Sequence, residues 1–186
     1  LKIFLGIKFQ QIFGNKLTYK VFKFLKLKNN DEIELISEFL LKKSQNGIML
    51  DVGAQIGNSF NTLASHGWKV FSFEPNPACL DVLKRRASLF KGNVKVYQYG
   101  ISNKNKNSID FYTAEKKLGI SSLHNFHPDH KTKNKIDLKS LEWFLKEHEI
   151  KLVNFLKIDT EGHDIFVLQG IDWSFCNIEV IVCEYE

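Results

Sequence analysis

Residues 48–57, with the sequence IMLDVGAQIG, decide the fold. The apolar run that ends at Asp51 predicts a buried strand, and the segment after Gly57 can begin a helix. A glycine turn between a strand and a helix brings bare backbone close to a ligand, because glycine has no Cβ. The alternative is that the two glycines serve packing alone, as they do in many strand-to-helix turns. The next acidic residue along the chain bears on this choice.

Short apolar runs alternate with helical patterns on both sides of this stretch. Predicted strands are Ile48–Asp51, Trp68–Phe73, Val94–Tyr99, Leu152–Ile158 and Ile178–Cys183. Predicted helices begin at Asp31 and at Pro77 and cover Asn58–Ser65, Asp137–His148 and Ile165–Leu168. This alternation predicts an α/β fold, with a mostly parallel sheet and helices on both faces.

Two further segments depart from the alternation. Residues 109–113 predict an additional, antiparallel strand that follows a turn at Asn103–Asn107. Residues 114–135 are polar and form the longest irregular stretch, which we interpret as a mobile loop that contacts the substrate.

Charge is distributed unevenly over the 186 residues, which carry a net charge of +5. Residues 1–30 contain seven lysines and no acidic residue, whereas the other 19 basic residues face all 21 acidic residues. We therefore divide the chain into a basic, aromatic-rich helical arm, 1–30, and a main domain, 31–186. The main domain is not basic, so we expect no nucleic-acid partner. The arm either packs on the domain or makes peripheral contact with an anionic membrane surface.

The three cysteines, Cys79, Cys176 and Cys183, form no paired motif, which favours a reducing compartment. No apolar run approaches the roughly 20 residues that span a bilayer. We expect a cytoplasmic protein, either free or at the membrane surface.

Glu74 is the acidic residue that favours a ligand-binding role for the glycine turn over a packing role. It stands 21 residues after Gly53, at the end of the next predicted strand, where nucleotide-binding sheets place a carboxylate that accepts both ribose hydroxyls. Gln55 occupies the position of the middle glycine in a pyrophosphate-binding turn, and Asp51 could reach a ligand's amino group. S-adenosylmethionine, an adenosine that carries an amino acid, fits this pattern better than a nicotinamide dinucleotide.

Three motifs in order resemble the signature segments of the FkbM family. They are DVGAQIG at 51–57, FEPNP at 73–77 and FLKIDTEGHD at 155–164, supported by Ser121-Ser122-Leu123 and by Val167-Leu168 with Gly170. Gln55 departs from the asparagine common in the family, and Asp164 departs from the more usual glutamate. The resemblance covers roughly residues 47–186.

This resemblance implies a class I S-adenosylmethionine-dependent methyltransferase with a Rossmann-like sheet, in which the first and fourth strands are neighbours. It implies O-methylation of a hydroxyl on a sugar or related small molecule or glycan. The adenine would lie near Gly100, Ile101 and Ser102. The full set of expected cofactor-binding residues is Asp51, Gly53, Gln55, Gly57, Asn58, Glu74, Pro75, Asn76, Gly100, Ile101, Ser102 and Asp159. Expected catalytic residues are Asp159, Glu161 and His163, and the identity of the general base stays open.

Several alternatives remain at this point. Asp159 with Glu161 could hold a divalent cation, and His124, His127 and His130 could hold zinc, but we predict no metal. The last strand is too apolar for an exposed edge, so we expect missing C-terminal strands or an oligomer contact there. Two other functions compete: a non-catalytic, membrane-associated binding module of the same fold, and a nicotinamide-dependent oxidoreductase.

Overall fold

The computed structural model describes residues 32–114, Leu123 and residues 130–183. The predicted arm, 1–30, lies outside the described residues, as do His124, His127 and Ser121-Ser122. Among the helices that are described, none is long and apolar enough to cross a membrane. The predictions for the arm and for its membrane contact therefore stay predictions.

Five helices and ten strands make up the described chain. The helices are α1 (Glu32–Lys43), α2 (Asn61–Ser65), α3 (Pro77–Ser88), α4 (Leu141–Glu147) and α5 (Asp164–Gln169). The strands are β1 (Ile48–Val52), β2 (Lys69–Phe73), β3 (Val94–Tyr97), β4 (Gly100–Ser102), β5 (Lys106–Ala114), β6 (His130–Ser140), β7 (Leu152–Val153), β8 (Phe155–Ile158), β9 (Asn177–Ile178) and β10 (Ile181–Cys183).

The central sheet has five strands in the order β10-β8-β1-β2-β3, and every neighbouring pair is parallel. This order confirms the predicted α/β fold and the predicted contact between the first and fourth core strands, β1 and β8. Strand β1 lies between β2 and β8. From β1 the chain first adds β2 and β3 on one side of the sheet and later adds β8 and β10 on the other side. Open sheets of this kind bind ligands at such a switch point, outside the carboxyl ends of the strands.

Helices cover both faces of this sheet, as the alternation of strands and helices predicted. Leu50 and Leu156 lie on one face and pack in the same core as Phe144 of α4 and Val167 of α5. On the other face, Met49 and Phe155 pack with apolar residues of α1, α2 and α3. Because neighbouring residues of a strand alternate between faces, Asp51 and Lys157 share the face of Met49 and Phe155.

The prediction for residues 114–140 was partly wrong. His130–Ser140 is a long strand that pairs antiparallel with β5, so residues 130–135 do not belong to a loop; residues 115–122 and 124–129 lie outside the described residues. The following helix begins at Leu141 and not at Asp137, because Ser140 caps it by accepting a hydrogen bond from the Trp143 amide. The predicted antiparallel strand at 109–113 is confirmed and is longer, covering Lys106–Ala114.

Two core strands predicted as continuous are each interrupted. Leu152–Ile158 divides into β7 and β8 at Asn154, whose side chain accepts from the Ile48 amide and donates to Glu179. Ile178–Cys183 divides likewise, because β9 pairs with β7 whereas β10 pairs with β8. Helix α2 also begins later than predicted, at Asn61. Pro77 stands in the first turn of α3, as predicted, and Asn76 caps that helix.

Gly53 allows the turn after β1 to lie directly against the segment after β8. Its φ is +73°, and an added Cβ would lie only 1.8 Å from the carbonyl oxygen of Asp159. That oxygen belongs to the backbone, so it cannot move aside as a flexible side chain could. The close approach of these two segments therefore depends on glycine at position 53.

We expect Gly53→Ala to destabilise the protein more than Gly67→Ala does. Gly67 has a similar φ of +88° but nothing within 4 Å of an added Cβ, so it isolates the conformational cost of about 1–2 kcal/mol. Gly53→Ala should add about 1–3 kcal/mol from overpacking against the Asp159 backbone. Equilibrium unfolding in urea measures both values, and equal losses in the two variants would contradict this account.

Candidate active site

A cavity of about 320 Å³ lies at the carboxyl ends of β1, β2 and β8, and we call it the central cavity. Its volume is at the lower end of the range for small-molecule sites. The sequence places a turn or a loop at each of these strand ends, so several functional groups converge there. Ten of the residues predicted from sequence line it: Gly53, Gln55, Asn58, Glu74, Pro75, Gly100, Ile101, Asp159, Glu161 and His163.

Four other predicted residues lie behind the cavity wall, outside its lining. Asn76 caps α3, and a Cβ at Gly57 would meet the side chains of Phe60 and Leu83. Ser102 contacts His163, and the Asp51 side chain is fully buried. The cofactor roles expected of these four residues stay predictions.

Glu74 follows β2, lines the cavity and contacts the glycine turn directly. One carboxylate oxygen accepts a hydrogen bond from the Gln55 amide at 2.7 Å, and the other accepts from the Asn76 amide at 2.8 Å. Gln55 has a φ of +52°, a left-handed conformation that is uncommon for a residue other than glycine. Burial raises the pKa of Glu74 and outweighs the opposing effect of these two amides and of Lys157. Each oxygen keeps a further lone pair, so the carboxylate can still accept hydrogen bonds from a ligand diol.

Lys157 lies at the centre of the site and was not among the residues predicted from sequence. It is 6% exposed, and its ammonium donates a hydrogen bond to the Gly53 carbonyl at 2.6 Å. The Lys157 nitrogen is 3.4 Å from the Asp51 carboxylate and 3.3 Å from that of Asp159. The available signal was a lysine inside the apolar run LVNFLKI, since lysine is almost never buried unless it is paired.

Strand register explains why these charges meet. Asp51 of β1 is the direct neighbour of Lys157 of β8, and both face the helices α1 to α3. Burial alone would favour the neutral amine, but the carboxylates of Asp51 and Asp159 outweigh it and raise the pKa of Lys157. Ser59 donates a further hydrogen bond to Asp51 at 2.6 Å. Lys157 is therefore a cation held between two acids.

His163 also lines the cavity. Its Nε2 lies 2.9 Å from the Ser102 hydroxyl, its Nδ1 is buried, and its ring stacks on Phe166 at 4.7 Å. Nearby, Asp164 accepts a hydrogen bond from the Thr160 amide, and burial raises the pKa of its carboxyl. Contacts inside the protein thus fix the imidazole and the loop that holds Asp159 and Glu161.

An apolar wall completes the cavity. Phe111 of β5 and Ile136 and Leu138 of β6 form it together with Leu123 and with Ile33 of α1; α1 also adds the polar side chain of Glu32 to the lining. This wall was not predicted from the sequence, because residues 130–135 were interpreted as a loop and Asp137–Ser140 as part of a helix. In residues 131–138, KTKNKIDL, every second residue is charged and the residues between them are uncharged. This period of two was a signal for a strand.

The lining suits an adenosine-containing cofactor. A buried carboxylate at the end of β2 can accept from a ribose, and the apolar side chains beside Gly100 can pack on a base. Within the described part of the chain, no three His, Cys, Asp or Glu side chains lie close enough together to hold a metal, and the expectation of no metal stays a prediction. The zinc alternative rests mainly on His124 and His127, which lie outside the described residues.

The sequence matches the Methyltransferase FkbM domain family over residues 51–186. Hexuronic acid methyltransferase AglP of Haloferax volcanii is 25% identical over 155 residues, which cover 82% of this chain and 62% of that protein. Methyltransferase 1 of Beauveria bassiana is 28% identical over 137 residues, or 62% of this chain and 55% of that protein. The chain therefore spans little more than half the length of these relatives.

Among solved structures, a precorrin-6y C5,15-methyltransferase from Geobacter metallireducens aligns with a TM-score of 0.43 at 17% identity. The alignment covers 85% of this chain and 64% of that one.

We expect Lys157→Met to destabilise the protein by about 3–5 kcal/mol, because it leaves the buried Asp51 carboxylate without its cation. Lys95→Met, a matched change at an exposed position of β3, should alter stability by no more than about 0.5 kcal/mol. Chemical denaturation of both variants measures the difference. A Lys157→Met protein as stable as the control would contradict the ion pairing described here.

Proposed function

Because the chain belongs to the Methyltransferase FkbM domain family, we propose that it transfers a methyl group from S-adenosylmethionine to a hydroxyl of a sugar or related small molecule. The observation that carries this proposal is the position of Glu74, a buried carboxylate that lines the central cavity and accepts a hydrogen bond from the glycine turn. A sugar acceptor is supported by the relative from Haloferax volcanii, which is named for hexuronic acid.

The cofactor would lie across the carboxyl ends of β1 and β2. Glu74 would accept hydrogen bonds from the ribose hydroxyls, and Gly100 and Ile101 would contact the adenine with backbone groups and apolar surface. Leu138 lies against Gly100, since an added Cβ there would meet its side chain at 2.7 Å, so β6 would close the adenine side. The bound cofactor would supply an electrophilic methyl group on a sulfonium.

The chain's own residues would align the acceptor and remove its proton. We assign stabilisation of positive charge to Asp159, whose side chain is 42% exposed at the cavity while it pairs with Lys157. Proton removal falls to Glu161, which lines the same cavity. His163 is less suited to that step, because its Nε2 contacts Ser102 and its Nδ1 is buried. We assign it a positioning role for the loop that follows β8.

The competing functions have less support. An oxidoreductase would need a pyrophosphate-binding turn, but Gln55 stands where its middle glycine would be, and its amide binds Glu74. A non-catalytic module would keep the fold and the cofactor cavity and would lack methyl transfer. The membrane contact of residues 1–30 and an oligomer contact at β10 remain proposals.

We expect S-adenosylhomocysteine to bind the wild-type protein and Glu74→Gln to weaken this binding at least about tenfold at pH 7.5. The loss follows because hydrogen bonds to a charged acceptor contribute about 1.5–3 kcal/mol each. Wild-type affinity should fall as pH drops through the raised pKa of Glu74, since the protonated carboxyl accepts fewer hydrogen bonds. Titration calorimetry between pH 5 and pH 8 measures both effects.

Glu74→Gln should lack this acidic decline, because an amide does not titrate. Thermal unfolding of each protein at each pH separates loss of the site from loss of the fold. A wild-type protein that stays folded without binding S-adenosylhomocysteine would overturn the proposed cofactor. Equal affinity in the two proteins would instead overturn the ribose contact.

We expect the wild-type protein to transfer a radiolabelled methyl group from S-adenosylmethionine to a hexuronic acid or another sugar acceptor. Glu161→Gln should slow this transfer about 10²–10⁴-fold, because it removes the general base. Scintillation counting of the isolated acceptor measures transfer, and the Kd for S-adenosylhomocysteine should change little. Cofactor binding without transfer to any sugar would favour the non-catalytic module. Unchanged turnover in Glu161→Gln would contradict its role.

A further inference from the structure

We infer that Asp51, Lys157 and Asp159 act as one charge triad, in which Lys157 neutralises the buried Asp51 and leaves a single net negative charge at Asp159 for a cationic ligand. This inference rests on the proposed function and deepens it, because it names what distinguishes the sulfonium cofactor from its neutral product. Lys157 is a positioning residue in this account, since it acts through the two carboxylates and through Gly53.

Geometry separates the two acids into different roles. Asp51 is fully buried, is outside the cavity lining and already accepts from Ser59, whereas the Asp159 side chain is 42% exposed at the cavity. Lys157 lies 3.4 Å and 3.3 Å from them and is itself only 6% exposed. Of the three charges, that of Asp159 is thus the one that a ligand can approach.

Lys157 also fixes where this charge lies relative to the glycine turn. Its hydrogen bond of 2.6 Å holds the Gly53 carbonyl, while the Asp159 amide donates to the Val52 carbonyl of β1 at 3.1 Å. The segments after β1 and β8 are thereby joined by one ammonium and one backbone hydrogen bond. Each acid contributes −1 and the lysine +1, so the triad sums to −1.

This charge sum can be tested with near-isosteric variants. Asp159→Asn and Asp51→Asn each bring the triad to zero, whereas the double variant Asp51→Asn/Lys157→Met returns it to −1. The readout is the ratio of the Kd values for S-adenosylhomocysteine and S-adenosylmethionine, which differ by the sulfonium charge. Titration calorimetry of all four proteins, in low salt and with thermal unfolding as a folding control, measures that ratio.

Relative to the wild type, we expect both single variants to shift this ratio against S-adenosylmethionine by roughly five- to thirtyfold, as for loss of one unit charge in a partly shielded site. The double variant should recover the wild-type ratio, although Asp51 and Lys157 are both absent from it. A purely structural ion pair would lower both affinities together and leave the ratio unchanged. Recovery through removal of a second charge therefore distinguishes the triad from a structural contact.

Three results would overturn the inference. If both single variants keep the wild-type ratio of the two Kd values, the triad charge does not reach the ligand. If the double variant has the same ratio as Asp51→Asn, Lys157 does not cancel the charge of Asp51. An Asp51→Asn protein that binds neither ligand would make Asp51 structural. By contrast, a folded wild-type protein that binds neither ligand would overturn the proposed function itself.

Discussion

The buried ammonium of Lys157 is the constraint on which the rest of the site depends. A lysine inside a parallel sheet keeps its charge only if anions and carbonyl oxygens replace the water it has lost. Asp51, Asp159 and the Gly53 carbonyl supply that replacement, and each comes from the carboxyl end of β1 or β8. The ion pair between Asp51 and Lys157 therefore depends on the register of β1 against β8. Shifting either strand by one residue would move its charged side chain to the other face of the sheet.

Glycine makes this arrangement possible sterically. Ion pairing brings the segments after β1 and β8 together, and the missing Cβ of Gly53 lets the Asp159 carbonyl occupy the space where a side chain would be. The turn then continues through Gln55, whose amide binds Glu74 and so fixes the end of β2. A chain of backbone contacts thus links three adjacent strand ends and shapes one cavity.

The sequence analysis predicted the parts of the molecule that depend on local pattern. Alternating apolar runs and helices indicated the parallel sheet, and the three motifs indicated which strand ends meet. It could not assign the Asp51 carboxylate to Lys157, since that contact depends on the register of β1 against β8, which lie about 100 residues apart in the chain. It also missed β6, because lysines and polar residues at 130–135 resemble a loop until their pairing with β5 is known.

A second sheet, with three strands in the order β4-β6-β5, shows why composition alone misleads at such sites. Strand β6 exposes Lys135 and Asp137, yet its Ile136 and Leu138 line the cavity together with Phe111 of β5. The central sheet contributes the carboxylates and the glycine turn, whereas this small sheet contributes the apolar wall. The two sheets can therefore vary separately: changes in β5 and β6 would alter which groups pack in the cavity without disturbing the buried charges. Under the proposed function, the groups that recognise charge and those that recognise shape would thus come from different parts of the fold.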